Sequence, residues 1–202
     1  AAAIANIALF ANQTVSGTFT INSGVTNPTF RYFLQSNTLG TQRTITAATV
    51  SVVSTDFRDI IGAGAGSWNL SSSSTYAGNC LNNSGITFPS TKTVYWNLAG
   101  AQNWSATGWA TSNNGTPAIA NFPLAQDTAT FTEAGSVTGT ISINAAWNIG
   151  TITMADGVSN RTTAMTLTIS SQLPIIYGNL IFFSALTLSG TGTITFGGTG
   201  TT

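Results

Sequence analysis

Apolar and small polar residues alternate along much of the chain, and the alternation has a period of two. Such a period places Ile, Leu and Phe on one face of a strand and Thr on the other. Thr is β-branched, so it favours an extended backbone while tolerating water. The pattern predicts an all-β chain, with a short helix possible only in the apolar run 1–11. The clearest predicted strands lie at 15–21, 44–46, 49–52, 138–143, 150–154, 165–169, 186–188 and 192–196.

The C-terminal part repeats short strands between tight turns. The frame Gly-Thr-Ile-Thr occurs at 150–153 and again at 192–195. Recurring short strands of this kind are typical of a β-solenoid, in which each coil stacks its apolar side chains on the coil below. Uncharged outer faces suit this stacking, because like charges on neighbouring strands repel. The sequence therefore predicts parallel β-helix-like rungs here. Since the strand spacing is irregular, an antiparallel β-sandwich or jelly roll is the alternative.

A change in residue pattern along the chain also suggests where it divides into two regions. The alternating region at the beginning gives way near Thr55 to a more charged segment that begins at Asp56. We therefore predict an N-terminal β region over 1–55, serving attachment or assembly, and a β-rich, solenoid-like region over 56–202.

The composition excludes several classes of function. The 202 residues include only 5 basic and 5 acidic side chains, no histidine and one cysteine, Cys80. Charged residues make up 5% of the chain, against roughly 25% in an ordinary domain. A nucleic-acid binder needs a basic stripe, a structural zinc site needs Cys/His clusters, and a serine or cysteine nucleophile needs its histidine base. We expect no nucleic-acid partner, no metal and no cofactor.

The hydrophobic content of the sequence distinguishes between a disordered, a membrane-spanning and a folded chain. The apolar fraction of 42% is enough to build a core, which argues against a disordered low-complexity chain. The longest apolar stretch covers residues 1–11 and is interrupted by Asn6, well short of the ~20 residues that a membrane span needs. We expect a folded, neutral chain with no membrane span.

Carboxylates are the first candidates for catalysis. Asp56 and Asp59 are three residues apart with Arg58 between them, and in a strand they would point to opposite faces. Asp127 and Glu133 are six apart, which corresponds to roughly 20 Å along a strand. Glycosidases need two carboxyl groups about 5–9 Å apart. We therefore predict structural roles for the carboxylates and no catalytic residues. If any carboxyl has a pKa raised by burial, Asp127 or Glu133 is the candidate.

Three tryptophans form the one candidate binding site. Trp96, Trp104 and Trp109 lie in an aromatic-rich segment beside Asn97, Gln102 and Asn103. Indole faces can stack on sugar rings, and the amides can supply hydrogen bonds, so the segment is a candidate carbohydrate-binding site. The alternative is packing in a core or subunit interface, which is where Trp most often lies.

Several segments resemble phage tail-fibre and related virion structural proteins with β-helical parts. The opening rungs of such proteins are similar to 57–60, 78–80 and 83–88, and further segments are similar to 92–100, 103–105, 122–127, 177–180 and 186–196. The resemblance implies a fibrous or surface-exposed virion component that forms a homotrimer. It carries no catalytic motif.

The function expected from these observations is structural. The resemblance implies a non-enzymatic component of a phage particle, a tail fibre or capsid appendage, acting in assembly and host-surface attachment. Its partners would be other copies of itself, other virion proteins and a host-surface glycan, and its location the virion or an extracellular surface. The alternatives are a secreted bacterial β-helical adhesin and a carbohydrate-active enzyme on a β-helix. An open edge at the strand 193–198 also predicts oligomerisation.

Overall fold

The protein is built from β-strands. A computed structural model of the chain describes residues 3–22, 27–133, 139–155 and 161–198. In these ranges there is no α-helix, and the helical structure consists of two single 3-10 turns, Ser73–Thr75 and Ile119–Asn121. The prediction of an all-β chain is confirmed.

The chain divides into two compact units. The first is formed mainly by Ala3–Ser90 and the second by Thr91–Gly197. The sequence predicts a boundary near Thr55. This residue is the first of a strand in the first unit and pairs with Tyr32. The boundary between the two units, after Ser90, therefore lies about 35 residues further along the chain than the boundary predicted near Thr55.

In the first unit, successive strands alternate between two sheets whose strands all run parallel. The chain passes through one sheet, turns a corner, passes through the other and returns beside its earlier course. We call each such passage a layer. The first sheet contains β1 (Ala3–Leu9), β3 (Phe30–Ser36), β5 (Thr55–Arg58) and β7 (Gly78–Asn79). The second contains β2 (Gln13–Ile21), β4 (Arg43–Val52) and β6 (Ile60–Ala63).

Register in the first unit aligns apolar side chains from layer to layer. Ile7 pairs with Leu34, and Leu34 pairs with Phe57. Leu34 and Phe57 are fully buried, and Ile7 packs against the same cluster. Residues 3–9 form a strand because pairing with β3 extends over all seven positions. The short helix considered for 1–11 is therefore wrong for the described part of that run, since tertiary pairing overrides local preference.

A corner of the first unit depends on Asp59. This residue lies between β5 and β6 and is fully buried, with a left-handed backbone at φ 59°, a region that Asp tolerates better than most residues. Its carboxylate accepts hydrogen bonds from Gly40 N (3.1 Å) and from Asn82 Nδ2, which belong to the turns of the preceding and following layers. The side chain therefore joins three successive corners.

In the second unit, the strands from β11 onward pass through three sheets in a fixed rotation. The first sheet contains β8 (Thr93–Trp96), β11 (Thr128–Thr130), β14 (Thr151–Thr153) and β17 (Leu180–Ile181), all parallel, with β10 (Trp109–Ala110) at its edge. The second contains β9 (Gln102–Asn103), β12 (Gly139–Ile143), β15 (Met165–Ile169) and β18 (Leu186–Ser189). The third contains β13 (Asn148–Ile149), β16 (Ile175–Ile176) and β19 (Thr195–Phe196).

The core of the second unit is likewise made of aligned apolar positions. Ile141 pairs with Leu167 in one sheet, and Ile149 pairs with Ile176 in another. All four side chains are buried. The Thr residues that alternate with the apolar positions of β12 and β15 face outward, as the period of two predicts.

Strand direction bears on the two predicted architectures. Within the described residues, the pairing of β8 with β10 is antiparallel and the other named strand pairs are parallel. An antiparallel sandwich or jelly roll needs antiparallel neighbours throughout. The observed sheets, whose strands are mainly parallel, therefore do not match the antiparallel sandwich or jelly roll.

Candidate functional site

The three tryptophans of the candidate sugar site form a buried cluster. Trp96 and Trp109 are 1% exposed, and Trp104 is 0% exposed. Trp109 lies edge-on to both others, with ring centroids 4.9 Å from Trp96 and 4.8 Å from Trp104. Phe131 closes the cluster, 5.5 Å from Trp109.

This geometry corrects the carbohydrate-binding interpretation of Trp96, Trp104 and Trp109. A sugar ring needs an open indole face, and burial leaves none of the three accessible. Two of the indole N–H groups donate to backbone carbonyls inside the protein, Trp109 Nε1 to Trp104 O at 3.0 Å and Trp96 Nε1 to Leu98 O at 2.7 Å. Trp104 Nε1 is also buried, and it has no hydrogen-bond partner among the described residues. The pairing of β10 with β8 brings Trp109 directly opposite Trp96, a contact that sequence spacing alone does not predict.

Arg31 and Asp56 form a buried ion pair between two layers of the first unit. Arg31 lies in β3 and Asp56 in β5, and their side chains are 2% and 0% exposed. The guanidinium meets the carboxylate through two nitrogens, with Nε 3.0 Å from Oδ2 and Nη2 against Oδ1. Arg31 also donates to Pro28 O and Tyr76 O. In β7, a Cβ at Gly78 would overlap Asp56 Oδ1, so the carboxylate fits only over a glycine.

Lys92 and Asp127 form a second interlayer pair, in the second unit. Each precedes a strand of the first sheet, β8 and β11 respectively. Lys92 Nζ lies 2.7 Å from Asp127 Oδ2, and Asp127 also accepts from Lys92 N and Leu124 N. The carboxylate is buried. It therefore holds two backbone segments in place and offers no free oxygen to a substrate.

Glu133 and Arg161 form a third interlayer connection. Glu133 accepts hydrogen bonds from the backbone and the side chains of both Thr162 and Thr163. Arg161 donates to Thr132 O and Thr163 O. Burial lowers the pKa of Arg161 below its ordinary value, and the charge of Glu133 opposes that change. The hydrogen bonds from Thr163 and Thr162 lower the pKa of Glu133 from 4.5 to about 2, opposite to the rise considered from sequence.

These carboxylates predict the pH dependence of stability. Because the pKa of Glu133 is lowered in the folded state, its contribution is fully present above the unfolded value of 4.5 and is lost as the pH falls towards 2. No histidine titrates between pH 5 and 8. We expect melting temperatures at pH 5, 7 and 8 to agree within a few degrees, at low and at high sodium chloride. At pH values below 4.5 the melting temperature should decrease. Thermal unfolding followed by circular dichroism measures this.

The control is Glu133→Gln, which should reduce the acid-side fall while leaving the pH 5–8 plateau level. A melting temperature that drops by ten degrees or more between pH 5 and 8 would contradict the assignment, because it requires a protonated, buried carboxyl.

Taken together, the described carboxylates Asp56, Asp59, Asp127 and Glu133 connect successive layers; Asp156 lies outside the described residues. Cys80 is fully buried. Over the described ranges, no group of three or more His, Cys, Asp or Glu side chains is placed to hold a metal ion.

The outward side of the sheet β9-β12-β15-β18 is the candidate functional surface. We call it the hydroxyl face. Its side chains form two columns that cross the sheet, because register aligns like residues on neighbouring strands. One column is Thr140, Thr166 and Thr187, and the other is Asn103, Ser142, Thr168 and Ser189. The hydroxyls of Thr168 and Ser189 lie 2.8 Å apart.

A shallow polar depression of about 250 Å³ lies at the β9 end of this face. It is lined by Ala101, Gln102, Asn103 and Ser142. Hydroxyl and amide groups can donate and accept hydrogen bonds with neutral partners such as glycan hydroxyls. None of the aligned side chains titrates near neutral pH, so the surface suits contact rather than proton transfer.

The first unit presents a similar arrangement. On the outward side of β2 and β4, Thr14 pairs with Thr46, and Thr20 with Ser51. The hydroxyls of Thr18 and Thr49 lie 2.5 Å apart. Aligned outward hydroxyls are thus a property of both units.

No protein-family model, curated protein or solved structure matches the chain. No helix in the described ranges is long and apolar enough to cross a membrane.

Proposed function

We propose that each unit is a β-solenoid, with parallel rungs formed by the layers described above. Support comes from the order of the strands, which alternate between two sheets in the first unit and rotate through three sheets from β11 onward in the second. Register that aligns Ile141 with Leu167, and Ile149 with Ile176, is what stacked rungs require. Carboxylates that connect one layer to the next, such as Asp59 and Asp127, fit the same arrangement.

We further propose that the protein is a non-enzymatic structural component of a virus particle, acting in assembly and attachment as a tail-fibre or capsid-appendage protein. The observation that carries this proposal is the distribution of charge between interior and surface. Buried carboxylates such as Asp56 and Asp127 are held by cations and backbone N–H groups, whereas the hydroxyl face is neutral. Neutral, hydrogen-bonded layers suit a rigid element whose stability changes little with salt or with pH between 5 and 8.

The attachment part of the proposal assigns the hydroxyl face to a host-surface glycan. Aligned hydroxyl and amide groups recur at the strand spacing of roughly 4.8 Å, so they can contact a repeating, neutral polymer at several points. The non-enzymatic part is supported by Asp127 and Glu133, whose oxygens already accept the hydrogen bonds described above.

The experiment is to locate the chain in fractionated source material. Particles are purified by buoyant density and their proteins are quantified by mass spectrometry, with a cell-envelope fraction and a culture supernatant as controls. The proposal predicts that the chain sediments with intact particles at a fixed ratio to the major particle proteins. Recovery in the envelope or the supernatant alone would contradict it and favour the secreted adhesin.

A second arm tests the enzymatic alternative with the recombinant chain. We expect no depolymerisation of a polysaccharide library. Cleavage that is lost in Asp127→Asn, with the melting temperature unchanged, would overturn the non-enzymatic assignment.

A further inference from the structure

One corner of the first unit carries two arginines from neighbouring layers. We call it the arginine corner; it consists of residues 35–43 in the second layer and 58–59 in the third. Arg43 begins β4, and Arg58 ends β5. Their layers meet where Arg43 N donates to Asp59 O at 2.9 Å. Described strands flank these layers on both sides, β1 and β2 before them and β7 after them, so the corner lies in the middle of its unit.

Side-chain amides of the second layer anchor both guanidinium groups. Arg43 Nη2 donates to Asn37 Oδ1 at 3.1 Å. Arg58 Nη2 donates to Gln35 Oε1. The two acceptor residues are two apart in the chain, so their Cα atoms are at most about 7 Å from each other. Both cations are therefore held over one small area of the corner.

The protein does not balance the charge of this corner. The first unit contains three cations, Arg31, Arg43 and Arg58, but only two acids, Asp56 and Asp59. Asp56 is bonded to Arg31 through two nitrogens. Asp59 Oδ2 lies 3.8 Å from Arg58 Nε, beyond hydrogen-bond distance, and its oxygens accept from the turns on either side. Within the described residues, Arg43 has no acidic partner.

Each of the two arginines keeps donors that the protein does not use. A guanidinium has five N–H donors. Among the described residues, the side chain of Arg43 donates to Asn37 alone and that of Arg58 to Gln35 alone, and Nε of both is buried without a partner. By contrast, Arg31 donates through all three of its nitrogens. The side chain of Arg58 is 16% exposed, and Arg43 is also partly exposed, so both can be reached from solvent.

The residues beside the two arginines are neutral and suit a sugar. Thr38 and Thr41 are exposed, and Gln42 is partly exposed. Their hydroxyl and amide groups can bond to sugar hydroxyls. Leu39 is 59% exposed and offers an apolar contact to sugar C–H groups. Two cations are too few for a nucleic acid, which is bound by a row of cations along its phosphates. The corner therefore fits a sugar that bears a negative group.

We propose that the arginine corner binds an anionic glycan, with Arg43 and Arg58 holding an oxyanion of one sugar unit. The guanidinium fork matches the oxygens of a carboxylate or a phosphate, so the ligand is a sugar that carries one of these groups. The turn 37–42 contacts the hydroxyls of the same sugar. This site lies on the first unit and recognises charge, whereas the hydroxyl face of the second unit is assigned to a neutral glycan. Binding here does not depend on that assignment.

Isothermal titration calorimetry of the 202-residue chain at low salt tests the proposal with three probes. They are an oligogalacturonate, which carries carboxylates, a phosphorylated mannan oligosaccharide and a neutral dextran oligosaccharide. At least one charged probe should bind, and added sodium chloride should weaken the binding. The charged probe that binds identifies the oxyanion. Absence of binding to both charged probes, or equal binding of the neutral probe, would overturn the proposal.

Substitutions assign the binding to the two arginines. Arg43→Gln and Arg58→Gln should each weaken it about tenfold, because each removes a charge-assisted hydrogen bond. Arg43→Lys keeps the charge but loses the fork, so it should recover only part of the affinity. The matched control is Thr111→Glu, at an exposed position of the second unit, which changes the net charge by the same amount and should bind like the wild type. Wild-type affinity in both Gln variants would contradict the site.

Folding of the variants is checked by circular dichroism, and hydrogen exchange of the wild type locates the ligand without any substitution. Amides of residues 37–43 should become more protected when the charged probe is added. Protection that appears elsewhere and not in this turn would overturn the assignment. Single-stranded DNA is the alternative polyanion, and tighter binding of DNA than of either charged sugar would contradict a glycan ligand.

Discussion

Asp56→Ala should lower the free energy of unfolding of the first unit by about 3–5 kcal/mol, because it leaves a buried guanidinium without its carboxylate. Arg31 is 2% exposed at its side chain and cannot reach water without disrupting β3. Its remaining acceptors, Pro28 O and Tyr76 O, are neutral carbonyls. Urea unfolding monitored by circular dichroism measures the loss.

The matched control for this prediction replaces both charges. Arg31→Met with Asp56→Leu removes the ion pair without leaving an unpaired charge, so it should recover most of the stability that Asp56→Ala loses. A loss below about 1 kcal/mol in Asp56→Ala would show that Arg31 finds another partner, and that the pair does not hold β3 against β5.

Trp109→Ala should destabilise the second unit by about 3–5 kcal/mol, the usual range for truncating a buried aromatic side chain. Trp109 is central to its cluster, since its ring contacts Trp96, Trp104 and Phe131. The deletion also removes the hydrogen bond from Trp109 Nε1 to Trp104 O. Thermal and urea unfolding should both show the effect.

Phe10→Ala is the control for the tryptophan prediction. Phe10 is 76% exposed, so its truncation should change stability by no more than about 0.5 kcal/mol. A Trp109→Ala variant that melts like the wild type but loses glycan binding would contradict core packing and restore the sugar-stacking interpretation.

Sequence pattern predicted strands well where Thr alternates with large apolar residues. The described strands β2, β4, β12, β15 and β18 lie within or overlap the predicted runs, because a period of two is specific to a strand with one buried face. Strands that lack this pattern were missed. β3 and β5 each contain a charged residue that turns out to be buried and paired, Arg31 and Asp56. Nothing in the local sequence indicates that these two side chains meet across 25 residues.

The candidate site was less predictable than the fold. Burial of Trp96, Trp104 and Trp109 depends on the return of β10 beside β8, which is a tertiary contact. The structural interpretation of the carboxylates agrees with the contacts of Asp56, Asp59, Asp127 and Glu133. The aligned columns of the hydroxyl face depend on the register between strands that lie about 20–40 residues apart in the sequence. Because the spacing between these strands is irregular, the sequence alone does not determine their register.

The most direct test of the layered arrangement is disulfide formation between outward positions of β15 and β18. Thr166 pairs with Thr187, and Thr168 pairs with Ser189. Parallel strands therefore predict that Thr166→Cys with Thr187→Cys, and Thr168→Cys with Ser189→Cys, each give an intramolecular disulfide on mild oxidation. If the strands were antiparallel about the pair 168 and 189, residue 166 would instead face 191. Efficient cross-linking of Thr166→Cys with Thr191→Cys, and none with Thr187→Cys, would contradict the account.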